Sequence, residues 1–181
     1  INANGRAGHT DTMVCEACEF QDHYLSMATD VAVILNVDAD HLDYFGSLEN
    51  VISSFRRFAS GASRVVIANG NDENTCKALA QFADKPVIFY GLDETFPWHA
   101  RNVTVHDGSY GEYDLYHNGV FQAHIQLGVP GMHNVANSVA AAAAANLCGA
   151  TAEQIAEGLA SFHGAGRRFE FLGSFAGVTI A

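Results

Sequence analysis

Four short apolar runs recur along the chain: TMVCEA (12–17), VAVILN (31–36), RVVIAN (64–69) and PVIFYG (86–91). Continuous apolar runs of this length are typical of strands buried on both faces. Between the last three, the pattern switches to a helical period. In SLENVISSFRRFAS (47–60), Leu48, Val51, Ile52, Phe55 and Phe58 share one face, behind Ser47 as N-cap. NDENTCKALAQFAD (71–84) follows the same period more weakly. Strand, helix, strand, helix, strand predicts an α/β fold, a mostly parallel sheet flanked by helices.

The texture then changes. ARNVTVHDGSYGEYDLYHNGVFQAHIQLGVPG (100–131) alternates polar and apolar residues, and Asn118-Gly119 suits a type I′ hairpin turn. A small antiparallel β meander attached to the parallel sheet is predicted. An alanine-rich helix follows over 133–149, ended by Gly149, and its small side chains call for another element packed close against it. A second helix is predicted over 151–164, with Thr151 as N-cap and Glu153 two residues on, one short of the capping-box position. The tail RRFEFLGSFAGVTIA reads as two more strands joined near Gly173 to Phe175, with the chain stopping in mid-strand, as a fragment would.

Length and composition narrow the class. The 181 residues are 49% hydrophobic, enough for one domain with a real core. No apolar run approaches the roughly 18 residues of a membrane span, and the N-terminal stretch is polar. A formal charge of −11, from 20 acids against 9 bases, argues against a general nucleic-acid binder. Cys15 and Cys18 form a CxxC, but no second close pair completes a zinc site. Together with Cys76 and Cys148 they read as reduced thiols of a cytoplasmic protein.

The chemistry concentrates at strand ends. In open parallel sheets, ligands collect beyond the carboxyl ends of the strands. Glu16 ends the first predicted strand; Asn36, Asp38, Asp40 and His41 end the second. If those strands are neighbours, Glu16 and His41 share a site whose oxygen and imidazole donors suit Mg²⁺ or Mn²⁺. The same residues also read as an acidic loop capping the next helix, with His41 at the surface. GVPGMHNVANSVAAA (128–142) feeds a Gly/Pro turn into a helix N-terminus, where free N–H groups suit a polar or anionic ligand. Asn134 and Asn137 lie on one helix face there, although His133 or Asn134 also reads as a plain N-cap. GAGRRFEF (164–171) places two arginines after a Gly-rich turn, a phosphate grip or a surface pair. Neither of the two lysines, Lys77 and Lys85, follows a Gly-rich loop, so GxxxxGK[ST] is absent.

Taken together, EACEFQDHYL (16–25), ILNVDADHLDYFGSLENVISSFRRFA (34–59), PGMHNVANSVAAAAAA (130–145) and GAGRRFEFLG (164–173) resemble the Mur ligases, ATP-dependent amide-forming enzymes of peptidoglycan precursor synthesis. The wording of EACE and NVDADHLDYFGS points to the member that adds L-alanine to UDP-N-acetylmuramate. The resemblance implies a P-loop-NTPase-like central ATP-binding domain, ATP as nucleotide and two Mg²⁺ ions. It implies that Glu16 and His41 hold metal, that Asn134 contacts adenine with His133 and Asn137 in the same motif, and that Arg168 reaches the ATP phosphates. Asn36 and Asp40 would shape the metal loop. Met132 stands where an arginine is often seen, at a position that varies in the family.

The resemblance also implies parts that these 181 residues do not carry: a UDP-binding domain before them, the P-loop ahead of EACE and a C-terminal ligase domain after them. The expectation is a central domain that is inactive alone. Other readings stay open on sequence. One is a related amide ligase of the folylpolyglutamate synthetase kind. Another is a non-catalytic nucleotide- or metal-binding module. A third is a metal-dependent phosphohydrolase using Glu16 and His41.

Overall fold

The computed structural model describes residues 5, 8–105, 110–164, 173–175 and 178–180. A six-stranded sheet runs in chain order: β1 (Val31–Ile34), β2 (Val65–Asn69), β3 (Val87–Gly91), β4 (Trp98–Val105), β5 (Tyr110–His117) and β6 (Val120–Pro130). The first four strands are parallel; β5 and β6 are antiparallel additions, so β6 points the same way as β1. This is the predicted α/β architecture with its meander, and the hairpin turns where Asn118 (φ 50°) and Gly119 (φ 77°) both enter the left-handed region.

Alternation along β2 splits the core in two. Val66 packs toward one face and Ile67 toward the other. The first face is covered by a 3-10 turn (Phe20–Ser26), α1 (Leu42–Phe45), α2 (Leu48–Gly61) and α3 (Glu73–Ala78), with Tyr24, Phe45, Val51 and Phe58 inside. Tyr24 stacks on Phe58 with ring centroids 4.6 Å apart. The second face is covered by α4 (Met132–Leu147), which crosses all six strands, and by α5 (Ala152–Ser161) against β6. The alanine run explains the closeness: Ala140, Ala142 and Ala143 are buried against the sheet. Gly111 on β5 completes the fit, since a Cβ there would lie 2.7 Å from Val135 Cγ2 of α4.

Caps follow the residues. Ser47 Oγ accepts from Asn50 N–H at the start of α2. Thr151 caps α5, and Gln154 at the third helical position closes the capping box that Glu153 cannot. The α3 stretch is shorter than its period suggests. Arg56 of α2 donates to the carbonyls of Lys77, Ala78 and Ala80, taking up acceptors that a longer helix would use.

Two expectations are corrected. Residues 12–17 form no strand: they pair with nothing among the described residues, and Met13 and Val14 are 85% and 90% exposed. A strand run of four apolar residues depends on neighbours for its stability, and β1 has β2 on one side only. In the tail, Gly173–Phe175 is itself a strand, β7, paired antiparallel with β8 (Val178–Ile180). No helix among the described residues is long and apolar enough to cross a membrane.

One buried pair links the meander to α4. Tyr113 O–H meets Ser138 Oγ at 2.7 Å, and Ser138 Oγ donates in turn to Val135 O at 2.7 Å. Burial pushes the Tyr113 phenol well above its ordinary range, so it is a neutral donor. Ser138→Ala orphans that hydroxyl, and urea unfolding should show a loss of about 1–3 kcal/mol. Gly111→Ala should cost about 1–3 kcal/mol by overpacking against Val135, read in the same assay. Wild-type stability in both would show that α4 packs differently.

Candidate functional site

The parallel strands deliver their carboxyl ends to one edge of the sheet, and the chain leaving β1 is pinned there by residues at the end of β2 and just after it. Asn69 Nδ2 donates to Leu35 O at 2.9 Å, and Asn74 Nδ2 donates to Val37 O at 2.9 Å. Asp72 Oδ1 accepts from Val37 N–H at 3.1 Å while also capping α3 through Thr75 N–H at 2.7 Å. Val37 is buried as a result, and Asn36, Asp38 and Asp40 are left exposed around it.

His41 follows at the N-cap of α1 in the left-handed region, φ 52° and ψ 38°. Such a conformation costs a non-glycine residue on the order of 1 kcal/mol, so something must hold it. Its N–H donates to Asp40 Oδ1 at 2.7 Å. Its Nε2 lies 3.5 Å from Glu19 Oε1, its Nδ1 3.9 Å from Asp40 Oδ1, and its ring 4.9 Å from the Phe20 ring. Glu19, Asp40 and His41 thus bring three ligand atoms within 4.8 Å of one another. Two carboxylates and one imidazole suit a hard or borderline divalent cation that keeps several waters.

Of the residues expected from sequence, His41 and Asp40 are in this group. Glu16 is exposed and outside it; Glu19, three residues further on, meets His41. Both glutamates stand in EACE, and the 3-10 turn that begins at Phe20 decides which one faces β1. The sequence reading also passed over Asn69, Asp72 and Asn74, whose polar side chains after a buried strand were the available signal.

A network behind Glu19 shapes that turn. Gln21 (φ 53°) and Asp22 (φ 61°) are both left-handed. Asp22 accepts from Ser54 Oγ through Oδ1, and through Oδ2 from Arg57 at 2.9 Å and Tyr44 O–H at 3.2 Å. Partial burial alone would raise the Asp22 pKa. The donors Ser54, Arg57 and Tyr44, with the charge of Arg57, outweigh it and hold the carboxyl below its ordinary value. Ser54 in turn receives the Tyr24 hydroxyl at 2.8 Å; burial foremost pushes that phenol up to about 12, so it donates.

The α4 N-terminus opens at the same edge, because β6 runs parallel to β1, but five strands away. Gly131 (φ 99°) makes the turn, and a Cβ there would meet the His133 ring at 2.7 Å. His133 is exposed and Asn137 half-buried. Asn134 folds back on its own turn, its Nδ2 donating to Pro130 O at 2.7 Å. The N-cap is Gly131, so no cap side chain bonds the helix start; Asn134 N–H donates to Gly131 O at 3.0 Å, and the N–H groups before it meet no acceptor among the described residues. Arg168 lies outside the described residues.

Comparison with known proteins bears on this edge. Residues 3–145 match the Mur ligase middle domain. The chain is 38% identical to the UDP-N-acetylmuramate--L-alanine ligase of Caldanaerobacter subterraneus subsp. tengcongensis, covering 99% of this chain and 39% of that protein. It is 34% identical to the enzyme of the same name from Clostridium acetobutylicum, with the same coverage. The chain therefore spans about two fifths of the length of these relatives. Among solved structures, MurF from Acinetobacter baumannii superposes with TM-score 0.74 at 23% identity, covering 84% of this chain and 34% of that one. UDP-N-acetylmuramate-alanine ligase MurC from Thermotoga maritima superposes with TM-score 0.69 at 23% identity, covering 86% and 34%. The matched family residues take in both the β1 edge and the start of α4, and the chain belongs to the Mur ligase family through its middle domain.

Proposed function

We propose that these residues are the nucleotide-handling middle domain of an ATP-dependent ligase that joins L-alanine to UDP-N-acetylmuramate in the cytoplasm. The observation that carries the reading is 38% identity, across almost the whole chain, to a relative bearing that enzyme's name. The geometry is consistent with it: a carboxylate–imidazole group at the carboxyl edge of the parallel strands, with an uncapped helix N-terminus at the same edge.

In this reading a muramoyl carboxylate oxygen attacks the γ-phosphorus of ATP, and ADP leaves. The alanine amine then attacks the acyl carbon, phosphate leaves, and the amine gives up a proton. Such phosphoryl transfer needs positioning and charge neutralisation more than covalent help from the protein. Glu19, Asp40 and His41, with Glu16 close by in sequence, would hold Mg²⁺. A divalent cation there supplies positive charge to phosphate oxygens. Asp72, Asn69 and Asn74 keep the loop at the strand end, so Asp40 and His41 arrive preorganised. The α4 N-terminus, with His133, Asn134 and Asn137, would take the adenosine end, and Arg168 the phosphates. The UDP-sugar and amino-acid contacts would belong to other parts of a longer protein.

The test is ADP release by the protein at its native length, with Mg²⁺, ATP and UDP-N-acetylmuramate, across L-alanine, glycine, L-serine and D-glutamate. Turnover is expected with L-alanine, and His41→Ala should lower it about 100-fold, the scale on which lost charge stabilisation is felt. The 181 residues alone should release no ADP. Turnover only with D-glutamate and UDP-N-acetylmuramoyl-L-alanine would keep the family and reassign the member. ADP formation by the isolated residues would overturn their dependence on other domains.

A further inference from the structure

Glu19 and His41 are brought together from two segments that regular structure does not fix. Gln21 and Asp22 on one side, and His41 on the other, all hold left-handed backbone. One side chain spans both segments. The Asp22 N–H donates to Glu19 O at 2.9 Å, tying Asp22 to the residue that faces His41. Its carboxylate accepts from Tyr44 O–H at 3.2 Å, and Tyr44 N–H donates to His41 O at 2.9 Å. A continuous hydrogen-bonded path therefore runs from Glu19 through Asp22 and Tyr44 to His41.

The other arms of Asp22 anchor that path to the body of the domain. Ser54 Oγ and Arg57 both donate to it from α2, and Ser54 is fully buried. Anchoring the 3-10 turn on α2 needs only those two donors. The Tyr44 arm adds nothing to that anchorage; it reaches α1, the short helix that His41 opens. Tyr44 is 45% exposed, so its hydroxyl gains little from burial in being there.

We propose that Asp22 is a positioning residue, which sets the separation of Glu19 and His41 by bonding the turn after Glu19 to the helix after His41. It touches no substrate; it acts through Tyr44 and the Glu19 backbone. The proposal deepens the reading of Glu19, Asp40 and His41 as a cation site, and its effect on cation affinity rests on that reading.

Tyr44→Phe separates positioning from support, because it cuts the arm to α1 and leaves Ser54 and Arg57 bonded to Asp22. Mn²⁺ binding by the native-length protein, followed by electron paramagnetic resonance, should weaken about 10-fold in Tyr44→Phe and further in Asp22→Ala, the scale of lost outer-shell support. The melting temperature of Tyr44→Phe should stay at the wild-type value. Without metal, amide hydrogen exchange across 40–46 should be faster in Tyr44→Phe than in wild type. Wild-type exchange in that segment would overturn the proposal, whatever the Mn²⁺ result. Faster exchange with unchanged Mn²⁺ affinity would overturn the link to the cation. His41→Ala provides the control for the underlying reading. If Mn²⁺ binding ignores His41→Ala, the cation assignment fails, and the exchange result alone decides whether Asp22 ties the two segments.

Discussion

A single carboxylate oxygen, Asp72 Oδ1, holds two elements at once. It accepts from Thr75 N–H, which starts α3, and from Val37 N–H, which fixes the loop leaving β1. The two bonds make the position of the β1 loop depend on where β2 ends. Everything beyond Val37 inherits that position, including Asp40, the left-handed His41 and the short α1. A buried backbone N–H needs a partner, and the chain supplies it from the N-cap of α3, the helix after the next strand. The metal-type group is thereby tied to the sheet it stands on.

The two faces of the sheet divide the labour. The face under α2 and the 3-10 turn is aromatic, with Tyr24 stacked on Phe58, and it supports the Glu19 side of the site through Ser54 and Asp22. The face under α4 carries Tyr90, Trp98 and Tyr113, and the helix's own alanines, with Gly111 on β5, let its 16 residues lie close across all six strands. That closeness, together with the antiparallel meander that turns β6 back parallel to β1, brings the α4 N-terminus to the same edge as His41. A parallel sheet with only its first four strands would carry no such helix start at its far side.

Much of this was legible in the sequence because it rests on local signals. The apolar runs at 31–36, 64–69 and 86–91, the face of α2 behind Ser47, and Asn118-Gly119 each specify structure within a few residues. What escaped depended on distant partners. TMVCEA has the composition of a strand but no neighbour to pair with among the described residues. The 71–84 period overruns because Arg56, some twenty residues earlier, takes the carbonyls at its end. Glu16 was singled out because it closes an apolar run, and Glu19 was not weighed; Glu19 meets His41 just before a 3-10 turn with two left-handed residues, which no local pattern marks. The capping box of α5 was missed by one position, since Gln154 serves where a glutamate was sought.

The central proposal is that the carboxyl edge of the parallel strands would hold a divalent cation between Glu19, Asp40 and His41 when the domain binds ATP. The most direct measurement is anomalous diffraction from crystals of the native-length protein grown with Mn²⁺ and a non-hydrolysable ATP analogue. The account predicts an anomalous peak within coordination distance of His41 and at least one of the two carboxylates, with the analogue's phosphates beside it. A nucleotide bound with its metal elsewhere, and His41 left facing only Glu19, would contradict it.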